Sequence, residues 1–246
     1  MRILLSFSCC LCLLEIAPPE VRCGEKVDVV VALDQSSESS ARWKYMRQIL
    51  PEIVKQFDMG PDKIHLSVVT FNERAYTEFN LYDYADRNKV ANAIKKVDYR
   101  GGDHNFAAAF SKARTEMSSK VTARADACKV LVMVTFCGGK DVMKQLAVRE
   151  ALKTKSMGVK IIMVSLSSKC TRSMMRQMAS EPTDSTVFFF ESPAEMLVGA
   201  DELVDAICLT TCVPATNFTE AATTTATTTT TALPAPAATT TTTVAP

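Results

Sequence analysis

Histidine and the glycine motifs typical of enzymes are scarce or missing in this 246-residue sequence. The only histidines are His65 and His104, and there is no Gly-x-Ser-x-Gly turn, no phosphate-binding Gly/Lys loop and no dinucleotide-binding glycine pattern. An enzyme needs a positioned nucleophile, base or cofactor cradle. We therefore expect a protein that is not an enzyme and that holds no cofactor.

Charge and hydrophobicity exclude two further classes of partner. The sequence has 28 Lys and Arg against 27 Asp and Glu, a net charge of +1, and we take the two signs to be interspersed. No long Lys/Arg stripe indicates a nucleic-acid partner. No apolar run reaches the roughly 20 residues that a membrane-spanning helix needs, so no membrane span is predicted.

The two ends of the sequence differ from its middle. The start, MRILLSFSCCLCLL, joins one Arg to an apolar run of about a dozen residues, which is typical of a signal peptide. We assign residues 1–22 to it and leave open whether cleavage follows Ala17 or Cys23. Residues 213–246 are rich in Thr, Ala and Pro, which predicts a disordered, O-glycosylated tail. Asn217 begins an N-glycosylation sequon. We therefore expect a secreted, extracellular protein.

Residues 24–212 form the predicted folded domain, in which apolar strands alternate with amphipathic helices. Strands are expected at 27–33, 64–71, 75–79, 129–136, 159–166 and 187–190. Helices are expected at 40–57, 88–97, 105–119, 141–155, 171–180 and 193–208. Continuous apolar strands separated by helices indicate a parallel sheet covered on both faces. The predicted fold is α/β, a Rossmann-like doubly wound, mostly parallel six-stranded sheet with one antiparallel edge strand and helices on both faces.

Asp34 ends the first predicted strand, in the segment VDVVVALDQSSES. In doubly wound sheets, ligands bind at the carboxyl ends of the strands, beside the point where the strand order reverses. This architecture places a functional site near Asp34. Asp34, Ser36 and His104 include the residue types of a hydrolase triad. We expect the acid at the solvent-exposed rim, however, rather than buried behind the imidazole, which argues against a triad.

Several segments together carry a family resemblance. DVVVALDQSSES, KIHLSVVTFNERAYTEFNL, VDYRGGDHNFAAAF, KVLVMVTF and VKIIMVSLSS run in the order and spacing of a von Willebrand factor type A (vWA) domain. The resemblance covers residues 26–208. This segment is most similar to the domains of matrilins, collagen VI and apicomplexan surface adhesins. It implies an adhesion module, and many such modules hold Mg²⁺ or Mn²⁺ in a metal-ion-dependent adhesion site.

The metal site that the resemblance implies is only partly present. Asp34 matches the family's first acid and Ser36 its first hydroxyl ligand, whereas Glu38 stands in place of the second serine. The family's threonine ligand falls on His104, or on Asp103 if the loop slips by one residue. The family's second acid is also missing, because Phe136 stands in its place, so three of the five positions are altered.

Phe136 replaces the second acid of the family site, and Cys137 follows where glycine is usual. Mg²⁺ takes near-octahedral oxygen ligands, and a benzyl ring supplies none. We therefore expect a degenerate site without a bound ion. The alternative is a rewired site for Mg²⁺, Mn²⁺ or Zn²⁺, because imidazole and carboxylates suit a transition metal. Its ligands would come from Asp34, Glu38, Asp103 and His104.

Six cysteines follow the signal region, an even number that predicts disulfides in a secreted protein. They are Cys23, Cys128, Cys137, Cys170, Cys208 and Cys212. Cys137 and Cys170 follow the fourth and fifth strands, so both lie at the carboxyl-end rim and we expect them to pair. The resemblance to matrilin-type domains implies a Cys23–Cys208 bridge, which leaves Cys128 with Cys212. An exchange of Cys208 and Cys212 stays open, as does a free buried thiol at Cys128.

Two non-enzymatic functions remain. The first is an adhesion or recognition module that binds an extracellular protein or glycan through the carboxyl-end rim of the sheet, without a functional metal site. The second is a structural component of an extracellular matrix or coat that self-associates. The resemblance alone favours the first, and a fold does not determine a function.

Overall fold

The computed structural model describes residues 26–137 and 141–209, apart from the side chains of residues 141–144. These residues belong to the first of the two units into which the chain divides, Met1–Thr216, the second being Asn217–Pro246. The predicted signal peptide and Thr-rich tail lie outside the described residues, as do Asn217, Cys23 and Cys212. The predictions made for them stay predictions.

One six-stranded sheet lies at the centre of the described fold, with the strand order β3-β2-β1-β4-β5-β6. The strands are β1 (Val27–Asp34), β2 (Ile64–Phe71), β3 (Ala75–Phe79), β4 (Cys128–Thr135), β5 (Val159–Ser165) and β6 (Val187–Phe189). All neighbouring pairs are parallel except β2 with β3, which is antiparallel. The predicted fold class, including its antiparallel edge strand, is confirmed.

Helices cover both faces of this sheet and bury two separate apolar clusters. They are α1 (Trp43–Val54), α2 (Arg87–Lys95), α3 (Phe106–Ser118), α4 (Asp141–Ser156), α5 (Arg172–Met178), α6 (Pro193–Val198) and α7 (Ala200–Cys208). α1, α2, α6 and α7 pack on one face, and α3, α4 and α5 pack on the other. Because β1 and β4 are buried on both faces, every residue of β1 is apolar except the two acids, Asp28 and Asp34. Among the described residues, no helix combines the length and hydrophobicity that crossing a membrane requires.

The single helix predicted at 193–208 is wrong, because the chain breaks there into α6 and α7 at Gly199. A Cβ atom at Gly199 would lie 2.7 Å from Cε1 of the Phe190 ring. Phe190 therefore occupies the space that a side chain would need, and only glycine lets the segment approach so closely. The apolar periodicity runs through the break, since both short helices contact the same core, so the pattern alone did not reveal it.

Candidate functional site

Asp34 lies at the carboxyl end of β1, between the ends of β2 and β4, and is 1% exposed. The expectation that this acid would lie at the solvent-exposed rim is wrong. Its Oδ1 accepts the Ser36 N–H at 2.8 Å. Its Oδ2 accepts the Thr135 hydroxyl at 2.9 Å and the Phe136 N–H at 3.1 Å. The carboxylate is thus buried and held by hydrogen bonds from its own loop and from the end of β4.

His104 supplies the remaining partner of this carboxylate. Its Nε2 lies 3.1 Å from Asp34 Oδ2 and 3.1 Å from Thr135 Oγ1. Because the single hydroxyl proton of Thr135 is directed to Asp34, the imidazole nitrogen is the donor in both contacts. The ring packs edge-on against Phe71 and Phe106, with ring centroids 5.4 Å and 4.2 Å away. His104 is therefore buried beneath the rim, not a solvated neighbour of the acid.

The pKa of the Asp34 carboxyl reflects two opposing effects. Burial raises it, but the hydrogen bond and charge of His104, together with the backbone hydrogen bond of Ser36, lower it further than burial raises it. The pKa of Asp34 accordingly lies below its ordinary value, so the carboxylate is ionised at neutral pH. A buried carboxylate needs a partner of opposite charge or a full set of donors, and here His104 completes that set.

Phe136 occupies the position of the family's second acid, and its side chain is 2% exposed. The Arg42 guanidinium carbon lies 5.7 Å from the centroid of this ring, so a cation stands beside the position where the family has a carboxylate. Glu38 forms an ion pair with Lys169, and both side chains are substantially exposed. The structure thus brings Asp34 and His104 together and holds Glu38 in a separate ion pair.

The side chains that could act as metal ligands here do not fit a divalent cation. Both Asp34 oxygens already accept hydrogen bonds, His104 Nε2 is engaged as a donor, and Glu38 is paired with Lys169. Within the described part of the chain, no group of three or more His, Cys, Asp and Glu residues is placed to hold a metal ion. Ser36 Oγ, in contrast, is buried without a partner among the described residues, which would favour a bound ligand. A lone hydroxyl is too little to bind Mg²⁺ or Zn²⁺.

The same contacts argue against a hydrolase triad. Ser36 Oγ has no hydrogen-bond partner among the described residues, so the imidazole does not activate it. The hydroxyl that His104 does contact, that of Thr135, donates its own proton to Asp34. A triad requires the imidazole to accept the nucleophile's proton, and here it donates instead. Asp34, Ser36 and His104 lie near one another without forming that arrangement.

Gly101 and Gly102 allow their loop to form hydrogen bonds with the neighbouring loops of the rim. Gly101 and Gly102 have φ values of 68° and 102°, in the region that favours glycine. The Gly102 carbonyl accepts the Ser37 N–H at 2.8 Å, and the Gly101 carbonyl accepts the Asn72 side-chain amide at 2.6 Å. Asp103 is exposed and its N–H donates to Glu73, so His104, rather than Asp103, faces Asp34.

Cys137 and Cys170 form a disulfide, the pair expected from strand direction, with an S–S distance of 2.01 Å and a Cα–Cα distance of 5.3 Å. Cys137 has a φ of 50°, which explains why glycine is usual at this position. The bond ties the loop after β4 to the loop after β5. Cys128 and Cys208 also take part in disulfides, which excludes a free thiol at Cys128. The partners predicted for them lie outside the described residues.

Thr135 is the functional residue that sequence reasoning missed. It sits at the end of β4, where β1 and β4 run in register up to Leu33 and Val134. A hydroxyl one residue beyond this pair lies beside Asp34, so the sheet register was the signal that would have found it. The family resemblance draws attention to Phe136, which replaces the second acid, and not to the neighbouring Thr135.

Known proteins share this fold over most of the chain. Residues 28–202 match the von Willebrand factor type A domain. Integrin alpha-11 of Mus musculus is 34% identical over 121 residues, which cover 49% of this chain and 10% of that protein. The collagen alpha-1(XX) chain of Homo sapiens is 27% identical over 176 residues, or 70% of this chain and 13% of that protein. The chain therefore spans only about a tenth of the length of these relatives.

Solved structures agree at the level of the fold. Proximal thread matrix protein 1 from the mussel byssus has a TM-score of 0.66 at 24% identity and covers 76% of this chain and 47% of its own. Another structure of that protein is described as having a zinc-occupied MIDAS motif. Manganese-loaded Plasmodium vivax TRAP protein has a TM-score of 0.60 at 17% identity, with 72% of each chain covered. With the match over residues 28–202, the chain belongs to the von Willebrand factor type A domain family.

Proposed function

We propose that this chain is a secreted, extracellular adhesion module that binds a protein or glycan partner through the carboxyl-end rim of its sheet, without a metal ion. The observation that carries the proposal is the contact of His104 Nε2 with Asp34 Oδ2 at 3.1 Å. In the family site a cation faces this acid; here a side chain of the same chain does so. The rim therefore offers its partner side chains and backbone groups instead of an ion.

Several rim contacts support a preformed binding surface. The Ser37 N–H and hydroxyl both bond to the Gly102 carbonyl, at 2.8 Å and 3.1 Å, and the Cys137–Cys170 disulfide joins two further loops. Loops fixed before binding lose little conformational entropy when a partner docks. The exposed groups on this rim include Glu38, Asp103 and Lys169, so a polar partner fits better than an apolar one.

Disulfides support the extracellular location. Cys137 is bonded to Cys170, and Cys128 and Cys208 are disulfide-bonded as well. Such bonds persist in oxidising compartments and are rare in the cytosol. Integrin and collagen relatives are consistent with the same location. We propose no catalytic role, because the described rim has no hydroxyl that its imidazole could activate.

The test is a binding assay on immobilised matrix proteins and sulfated glycans, run in EDTA and in Mn²⁺. Full-length protein is compared with a rim variant, Asp103→Ala combined with Lys169→Ala, and with a control variant, Lys120→Ala, whose exposed side chain lies after α3. We expect binding to at least one surface, unchanged by EDTA and reduced about tenfold or more in the rim variant alone. Binding that EDTA abolishes, or that the rim variant retains in full, would refute the proposal.

A further inference from the structure

Charge is not evenly mixed along the second half of the domain, contrary to the expectation that the two signs are interspersed. Residues 141–180 contain eight Lys or Arg and two Asp or Glu, whereas residues 181–209 contain seven Asp or Glu and no Lys or Arg. The chain as a whole carries only +1. Near-neutral composition therefore hides two adjacent segments of strong and opposite charge.

The fold places much of this charge on opposite faces of the sheet. α4 and α5, from the basic segment, contribute Ala151 and Met175 to the apolar cluster of one face. α6 and α7, from the acidic segment, contribute Met196 and Leu203 to the cluster of the other face. Two charged surfaces that point away from each other across a sheet do not neutralise each other within one molecule.

We define the basic face by the exposed side chains of α4 and α5, and the acidic face by those of α6, α7 and the residues beside them. On the basic face, Lys153 pairs with Glu150 and Arg176 with Asp184, while Arg149 is exposed and has no ion pair among the described residues. The exposed acids of the acidic face form no ion pair with any described residue. They are Glu191, Glu195, Asp201, Glu202 and Asp205.

Large apolar side chains are exposed on both of these faces. On the acidic face, Val198 is 86% exposed and Leu209 is 77% exposed. On the basic face, Leu146 and Leu152 of α4 are 41% and 56% exposed. Protein interfaces combine an apolar centre with a charged rim, and each face carries both components.

We propose that the domain binds a second copy of itself, with the basic face of one copy against the acidic face of the next. The two faces complement each other in charge, and both bring exposed apolar side chains to the contact. Because the two surfaces differ and lie on opposite sides of the sheet, the contact is heterologous. Such a contact leaves one face of each type free in every pair and extends into rings or open filaments, according to the rotation between copies. The contact does not involve Asp34 or His104, and different variants test it and the proposed adhesion.

The test measures self-association of the full chain by sedimentation velocity over a range of concentrations, at roughly 50 mM and 500 mM salt, where charges are weakly and strongly screened respectively. One variant carries Arg149→Glu and Arg172→Glu on the basic face. A second carries Glu202→Lys and Asp205→Lys on the acidic face. A matched control carries Lys89→Glu and Lys120→Glu, exposed positions outside both faces. Thermal melts establish that each variant is folded.

We expect association of the unaltered chain at low salt and its loss at high salt. Each face variant should associate at least about tenfold more weakly, because attractions become repulsions, while the control behaves like the unaltered chain. An equimolar mixture of the two face variants should associate again, since the first then has two acidic faces and the second two basic ones. A monomer at every concentration at low salt, association insensitive to both reversals, or a mixture of folded variants that stays monomeric would overturn the proposal.

Discussion

Replacing His104 with alanine removes the group that we infer stands in for the family's cation. The imidazole Nε2 donates to Asp34 Oδ2 at 3.1 Å, and a hydrogen bond to a charged group contributes about 1.5–3 kcal/mol. The ring is also buried against Phe71 and Phe106, and truncation leaves a cavity beside a carboxylate that has lost a partner. We expect the free energy of unfolding to fall by about 3–5 kcal/mol.

The assay is thermal and denaturant unfolding, with His65→Ala as the matched control. His65 is the other histidine of the chain, is 6% exposed and packs edge-on against Tyr82 with ring centroids 5.3 Å apart. Its ring nitrogens have no hydrogen-bond partner among the described residues. Truncating it therefore removes buried contacts but no hydrogen bond to a carboxylate, at a cost of about 1–3 kcal/mol. The difference between the two variants measures the contact with Asp34.

Metal titrations complete this test. The unaltered chain should melt at the same temperature in EDTA and in Mn²⁺, because nothing in the site is free to bind an ion tightly. His104→Thr combined with Phe136→Asp returns two oxygen ligands to the family positions, and this variant should gain stability in Mn²⁺ that EDTA removes. A clear drop in the melting temperature of the unaltered chain in EDTA, reversed by Mn²⁺, would refute the reasoning.

Two further predictions concern the opposite end of the sheet. Burial, followed by the nearby Arg124 charge, lowers the pKa of His65 below 6.5; the unfolded chain therefore binds more protons, and stability should fall as pH drops from about 7 to about 5. His65→Phe should flatten this pH dependence in thermal melts, and an unchanged slope would contradict the assignment. A non-reduced peptide map should join Cys23 to Cys208 and Cys128 to Cys212, and a Cys128–Cys208 peptide would contradict that pairing.

Much of the fold could be predicted because each central strand is buried on both faces and reads as a continuous apolar run. β2 and β3 match their predicted bounds, and β1 extends only one residue further. The break at Gly199 could not be predicted in this way, because α6 and α7 bury their apolar side chains in the same core. Periodicity reports which face of a helix is buried, and it does not distinguish one helix from two short helices that bury the same face.

The candidate site was harder to predict than the fold. The end of the first strand drew attention to Asp34 and the family resemblance to His104, but their burial depends on how the 101–102 loop folds over the end of β1. That loop is positioned by backbone contacts, such as the bond from the Ser37 N–H to the Gly102 carbonyl. The pairing of Glu38 with Lys169 likewise joins residues 131 positions apart. Contacts of this kind leave no local sequence pattern.

The two departures from the family site, His104 and Phe136, compensate for each other. A buried carboxylate such as Asp34 is costly unless cationic or hydrogen-bonded partners compensate it. In a site with two acids, a divalent cation can compensate both. With Phe136 in place of one acid, a single carboxylate remains, and one imidazole donor together with the Thr135 hydroxyl and two backbone N–H groups satisfies it. Either change alone would leave a charge uncompensated, because histidine beside two acids supplies too little positive charge and phenylalanine beside a cation supplies no ligand. We therefore infer that the two substitutions act as one replacement, in which a side chain takes the place of the ion.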